Sequence, residues 1–309
     1  MKYEEWLDVW YENFVKPSAK RKTIERYGEI IKNRLVPEFG ALDINDVSPL
    51  ALQKNVSELT TEGNFRTGRG LAVSTVNGIL TVIRTSLKIA HDIGLTAEYT
   101  AHKVRRPKFS EKKVECFSLF KQKLIENSVF KSKRSRLLGI VVCLYTGLRI
   151  GELLALSWKD VKLEEKVIII SKTCHYGKDG RVVETPKTAG SCREIPVSSE
   201  VIKILKRMKT GDSEYVVSAR GKPVSVRTYQ KSFEAIQEKL KIKKRGFHAL
   251  RHTFATRALE CGMDVKTLSE ILGHKNSAIT LNRYAHSLFE HKAAMMNKLG
   301  NSLLKVKNP

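Results

Sequence analysis

Apolar residues fall at helical spacing on both sides of one basic, proline-containing stretch, residues 103–113, and that break sets the architecture. The stretch carries Lys103, Arg105, Arg106, Lys108, Lys112 and Lys113 around Pro107 and offers little to bury, so it predicts an inter-domain linker. Upstream, Thr23 is placed to cap a helix whose apolar face is Ile24, Tyr27, Ile30 and Ile31, ending before Pro37. Ser48 with Pro49 starts another, carrying Leu52, Val56 and Leu59. Ser74 caps a longer one with Val76, Ile79, Leu80, Ile83 and Leu87, which Gly94 stops. With the segment Trp6–Val15 in front, residues 1–102 predict a small helical bundle. Thr61–Gly70, with Gly63, Gly68 and Gly70, predicts an exposed loop.

Beyond the stretch the period changes. Leu137–Leu144 and Arg149–Leu156 read as helix, and β-branched Lys166–Ile170 as strand. Gly177 to Gly180 predicts a hairpin turn into a strand Arg181–Glu184, and Thr188–Ser191 a second turn before Arg193–Val197. These make a three-stranded antiparallel meander among helices, and the chain is helical again from Val226 to Leu304. The expected class is mainly α with a small three-stranded antiparallel sheet, in two domains, 1–102 and 114–309, joined by 103–113.

Charge narrows the partner. The 309 residues hold 56 Lys and Arg against 32 Asp and Glu, a net charge of +24. Such an excess predicts a polyanion, nucleic acid first. Residues 1–102 balance to neutrality, so the whole excess falls in 103–309. Any grip by the first domain must come from local patches: Lys20, Arg21 and Lys22, or Arg66 and Arg69. Arg105 and Arg106 in the linker are placed to track phosphates. The five cysteines are scattered without a C-x-x-C pair, which reads as reduced thiols in the cytoplasm. No signal-like apolar stretch follows Met1, and the run Leu137–Tyr145 is too short to span a bilayer.

Five residues carry the chemistry. Arg149 follows Thr146, Gly147 and Leu148 and opens a helix. There its charge opposes the helix dipole, so the placement suggests an anionic ligand. Glu152, one turn on, can orient its guanidinium. His248 and Arg251, three apart, share a helix face and can meet one phosphate. His274 follows Leu272 and Gly273, just past a helix end, and Tyr284 comes ten residues later. Guanidinium groups fork onto phosphate oxygens, imidazoles move protons near neutrality, and a tyrosine oxygen can attack phosphorus. His252, one step off the face, reads as structural.

This order and spacing resembles the tyrosine recombinase (phage integrase) family, and residues 1–102 resemble its helical, SAM-like core-binding domain. The resemblance implies a site-specific DNA recombinase or integrase acting on a double-stranded recombination site, for integration or excision of a mobile element or prophage. It implies that Tyr284 attacks the scissile phosphate and leaves a 3′-phosphotyrosyl enzyme. Arg149, Arg251 and His274 would stabilise the phosphorus centre, with His248 assisting proton removal. It also implies a lysine on a β-hairpin that protonates the leaving 5′ oxygen. Lys187 fits that role at the turn between the second and third strands, and Lys172 remains the alternative. Family members work as DNA-bound tetramers. Ala293, Ala294, Met295, Met296 and Leu299 would form a C-terminal helix exchanged between subunits, and accessory DNA-bending or excision factors are possible partners. The further N-terminal arm-binding domain of many integrases is not expected here.

No cofactor is expected: the chain has no phosphate-binding G-x-x-x-x-G-K-[ST] loop. No metal is expected either, because the histidines lack zinc-ligand spacing. Two alternatives are a type IB topoisomerase-like relaxing enzyme with the same chemistry and a non-catalytic DNA-binding regulator on the same fold. The second would not need all six polar residues.

Overall fold

Tyr3, Trp6, Leu7 and Trp10 give the first helix, α1 (Tyr3–Trp10), an apolar face, and all four side chains are buried. In this computed structural model, residues 1–108, 115–177, 180–185, 192–274, 276–278, 296–297 and 299–301 are described. Their packing falls into two compact units, Met1–Lys112 and Lys113–Pro309.

The first unit continues with α2 (Arg21–Ile30), α3 (Val36–Phe39), α4 (Pro49–Thr61) and α5 (Val73–Asp92). Helix α5 runs through the core, with Val76, Leu80, Val82 and Ile83 buried. It holds α1 at Ser86, whose hydroxyl pairs with the Tyr3 hydroxyl at 2.8 Å and whose carbonyl accepts from Trp6 Nε1 at 3.1 Å. Both aromatics thus bury large surfaces without stranding their polar ends.

A side-chain cap starts α4. Ser48 accepts from the Ala51 amide at 3.2 Å with Pro49 in the first turn, as the sequence predicts. Three details differ from expectation. Lys20, not Thr23, takes the extended backbone before α2, and its carbonyl accepts from Thr23 and Ile24. Ala72, not Ser74, precedes α5. Pro37 does not end the second helical segment. A π-type turn at Ile31–Leu35 widens the backbone around the residue four before the proline, and Pro37 then sits in the first turn of α3, where its missing N–H costs nothing. The loop Thr61–Gly70 is largely exposed, as predicted, and Arg34 donates to the Gly63 carbonyl beside the Phe65 ring. Packing on this unit runs past residue 102: Ala101 and Val104 are buried, and the Arg105 amide donates to Gln53 Oε1 at 2.8 Å. Residues 109–113 of the expected linker lie outside the described residues.

The second unit begins with α6 (Leu119–Phe130), α7 (Leu138–Thr146) and α8 (Ile150–Ala155). Strands follow: β1 (Val161–Lys162), β2 (Val167–Ile170), β3 (Thr173–Gly177), β4 (Gly180–Glu184) and β5 (Arg193–Pro196). Then come α9 (Ser199–Met208), the short pair β6 (Ser218–Ala219) and β7 (Lys222–Pro223), α10 (Val226–Lys239), α11 (His248–Glu260) and α12 (Val265–Leu272). Helix α7 is apolar on every side and buried from Leu138 to Leu144, so it forms the centre of the core. Phe233 on α10 meets Phe117 and Phe247 edge-on, with centroids 6.1 and 5.4 Å apart.

The small three-stranded antiparallel sheet is present, and two of its strands, β2 and β5, are those of the predicted meander, but the third is β1 and not the strand after the hairpin turn. Its order is β1-β2-β5, with Ile168 opposite Ile195 and Ile170 opposite Arg193. Strands β3 and β4 pair only with each other, from Thr173 opposite Glu184 to Gly177 opposite Gly180. The two therefore form a separate two-stranded arm, while burial of Ile168 and Ile195 joins β2 to β5. The second expected turn, Thr188–Ser191, lies outside the described residues. Among the described residues, no helix is long and apolar enough to cross a membrane.

Candidate active site

Helix α7 stops on Gly147, whose φ of +68° suits glycine, and the chain turns straight into α8 with Arg149 as its N-cap. Gly151 in the first turn of α8 lets strand β3 come close: a Cβ there would fall 2.6 Å from Thr173 Oγ1. Glu152 closes this turn. It accepts from the Arg149 amide at 2.9 Å and from Arg149 Nη1 at 2.6 Å. One carboxylate thus caps α8, offsets the cation at its N-terminus and fixes the direction of the Arg149 side chain. Arg149 is 35% exposed and Glu152 only 3%.

Burial pushes the Glu152 carboxyl up, but hydrogen bonds and charge from Arg193, then the charge and amide of Arg149, outweigh it and hold the group below the usual glutamate range.

Arg251 lies one turn into α11 and is 2% exposed, which is unusual for an arginine. Its Nη1 donates to the Gly147 carbonyl at 2.9 Å and its Nη2 to the Leu272 carbonyl at 2.6 Å. Helix α12 also ends on a left-handed glycine, Gly273 with φ +62°. The next amide, His274, returns to the Ser269 carbonyl at 3.0 Å. The Gly273 carbonyl accepts from Arg149 Nη2 at 3.3 Å. Both guanidinium groups therefore meet at the two helix ends, and the turn bearing His274 is fixed between them. His248 is exposed at the start of α11, one turn before Arg251. Its ring lies edge-on to His252, with centroids 4.6 Å apart, so His252 touches a site residue as well as belonging to the scaffold.

Sequence reasoning passed over Arg193. Its side chain is 7% exposed and its guanidinium forks onto Glu152, Nη1 to Oε1 at 3.2 Å and Nη2 to Oε2 at 3.0 Å. Its Nε donates to the Ile271 carbonyl at 2.5 Å. The signal was available: strand alternation puts Arg193 on the same face as the buried Ile195.

Among the remaining candidates, Lys172 follows β2, with its ammonium 3.9 Å from Asp160 Oδ2. Lys187, Tyr284, Ala293, Ala294 and Met295 lie outside the described residues, and Met296 and Leu299 are exposed. Lys20, Arg21 and Lys22 are exposed around the start of α2, as are Arg66 and Arg69 in the Thr61–Gly70 loop and Arg105 and Arg106 after Val104. All seven belong to the first unit. Among the described residues, no group of His, Cys, Asp or Glu is arranged to hold a metal ion.

Comparison with known proteins places the whole chain among relatives of one kind. A tyrosine recombinase XerC-like protein of Caldanaerobacter subterraneus subsp. tengcongensis is 27% identical over 96% of this chain and 82% of its own length. The Tn1549 transposon integrase, solved with circular intermediate DNA, superposes with a TM-score of 0.82 at 22% identity, covering 97% of this chain and 99% of that one. The lambda integrase tetramer bound to a Holliday junction gives 0.68 at 19% identity, covering 90% and 78%. Residues 2–60 match the phage integrase N-terminal SAM-like domain. Residues 121–291, more than half of the chain, match the phage integrase family itself, and the protein belongs to that family.

Proposed function

We propose that this protein is a tyrosine-type site-specific DNA recombinase that moves or resolves a mobile element by cutting and rejoining double-stranded DNA. The observation that carries the reading is the convergence of Arg149, Arg251 and the His274 turn, brought together from α8, α11 and α12 by the Gly147 and Gly273 carbonyls. In this reading Tyr284 attacks the scissile phosphate, forming a tyrosyl–phosphorus bond and releasing a 5′-hydroxyl. Arg149, Arg251 and His274 stabilise charge on the five-coordinate phosphorus, and His248 assists loss of the tyrosine proton. Lys187 gives a proton to the departing oxygen. The 5′-hydroxyl of a partner strand then displaces the tyrosine, so the bond energy is kept and no nucleotide is consumed. DNA is gripped by the second unit with help from Lys20, Arg21, Lys22, Arg66, Arg69, Arg105 and Arg106. The fold shared with the lambda integrase tetramer supports a homotetramer on DNA, joined through the C-terminal segment, and the scattered cysteines without a C-x-x-C pair support action in the cytoplasm.

Covalent capture tests this directly. The protein is incubated with a pool of nicked duplexes of randomised sequence, in which the short 5′-hydroxyl fragment diffuses away after cleavage. A denaturant-resistant adduct, enriched for one core sequence and formed equally in EDTA, is expected. Two captured duplexes should then exchange strands. An adduct that persists in Tyr284→Phe, or relaxation of plasmid on any sequence without exchange, overturns the reading.

A further inference from the structure

Arg193 is placed against no phosphate in the scheme above, yet it holds the carboxylate that aims Arg149. A guanidinium whose carboxylate partner serves it alone is well oriented but electrically cancelled. The pair sums to zero, and the carboxylate would itself repel an approaching phosphate. Here the Glu152 charge is met by a second, more enclosed guanidinium. Arg193 takes both carboxylate oxygens in a fork, whereas the Arg149 side chain takes one. The three side chains together carry +1, and the cation open to solvent is Arg149, at 35% exposure against 7% for Arg193. Arg193 is also braced from the other side. Its Nε holds the Ile271 carbonyl, and Gly273 packs so closely on it that a Cβ at 273 would fall 3.0 Å from Arg193 Nη1. Its backbone is fixed opposite Ile170 in the sheet. The fold thus delivers a rigid positive charge from β5 to the buried side of Glu152.

We propose that Arg193 is a positioning residue for the cleavage step: by neutralising Glu152 it lets that carboxylate orient Arg149 toward the scissile phosphate without cancelling its charge. The inference rests on the recombinase reading above. It separates what Glu152 does by geometry from what it would do by charge, and that separation can be measured.

The captured duplex in nicked form serves as substrate, with enzyme in excess. The single-turnover rate of adduct formation and the Kd are read at a temperature where circular dichroism shows every variant folded. Arg193→Met should lower the rate roughly ten- to a hundredfold, a weakened electrostatic contact to the developing charge. Its Kd should stay near wild type, because one phosphate among many is affected. Arg193→Lys keeps the charge and loses the fork, and should retain most of the rate even where its Tm falls. Adding Glu152→Gln to Arg193→Met removes the charge that needs neutralising while leaving an oxygen to orient Arg149, and should restore much of the rate. A purely structural role predicts otherwise: folded Arg193→Met cleaving at the wild-type rate, or no recovery on adding Glu152→Gln, overturns the proposal. If Arg193→Met alone does not fold, the comparison moves to the Glu152→Gln background. There the loss of Arg193 must cost no further rate, and a loss of tenfold or more there, by the same electrostatic scale, overturns it. A wild-type protein that forms no adduct at all sinks the recombinase reading instead.

Discussion

Arg251 donates to the Gly147 carbonyl at 2.9 Å, joining residues 104 apart in the chain. The contact depends on Gly147 holding φ +68°, and Phe254 Cδ1 and Leu272 Cδ2 would lie 2.6 and 2.8 Å from a Cβ placed there. Gly147→Ala therefore meets backbone strain and a clash with packed side chains together. It should destabilise the protein by about 1–3 kcal/mol, read as a lower Tm, and should slow adduct formation in the folded fraction because the Arg251 acceptor moves. An unchanged Tm would show that the turn tolerates a side chain.

Acid should act through Glu152. Its folded-state pKa is held below the ordinary glutamate value by Arg193 and Arg149 against the opposing effect of burial, so the ionised form favours the folded state. That stability is fully present above the ordinary range and is lost as pH falls through it toward the depressed value. Tm followed from neutrality to about pH 3 should drop more steeply for wild type than for Glu152→Gln, which has no proton to gain there. Glu152→Gln should also be the less stable protein at neutral pH, since two buried or half-buried arginines lose their charged partner. Parallel Tm profiles would rule out Glu152 as a titrating contributor.

The two lysines separate by leaving group. A general acid matters because the departing 5′ oxygen leaves poorly without a proton, and a bridging sulfur in its place leaves unaided. Lys187→Ala should cleave ordinary DNA ~10²–10⁴-fold more slowly and recover on the 5′-bridging phosphorothiolate. Lys172, with Asp160 at 3.9 Å, should show a modest defect that sulfur does not repair. Rescue of Lys172→Ala instead would reverse the assignment.

Salt reports the first unit's share in binding. Log K for a captured duplex should fall steeply with log salt, at roughly 0.9 per contacted phosphate. Replacing Arg66 and Arg69 with alanine should reduce that slope by up to twice this amount, with affinity falling across all sequences. A slope that does not move removes the Thr61–Gly70 loop from the DNA-facing surface.

What the sequence made legible was local. Ser48 with Pro49 marks α4, and the spacing of Val76, Leu80 and Ile83 marks α5, because caps and periodicity act within a few residues. Pro37 misleads as a stop signal, since the π-type turn that accommodates it has no sequence signature. The sheet misleads for another reason. The glycines at 177 and 180 do make a hairpin, but the partner of β2 lies beyond that hairpin, and only burial of Ile168 against Ile195 selects it. In the site, the contact of Arg149 with Glu152 is a short-range pairing and could be foreseen from the chain. Arg193 reaches Glu152 across 41 residues and sits beside the exposed Glu194, so a reading by neighbours alone takes it for a solvated strand position.

Both helices that meet the arginines, α7 and α12, arrive by their C-termini, each ending on a left-handed glycine. Helix N-termini are the common cradle for phosphate because their free N–H groups and dipole already attract it. Here the two arginines are held by the opposite poles, whose carbonyls repel anions and attract guanidinium groups. The backbone therefore recruits cations, and the cations recruit the phosphate. Stripped of Arg149 and Arg251, the same scaffold would turn from a phosphate receptor into a surface that rejects one.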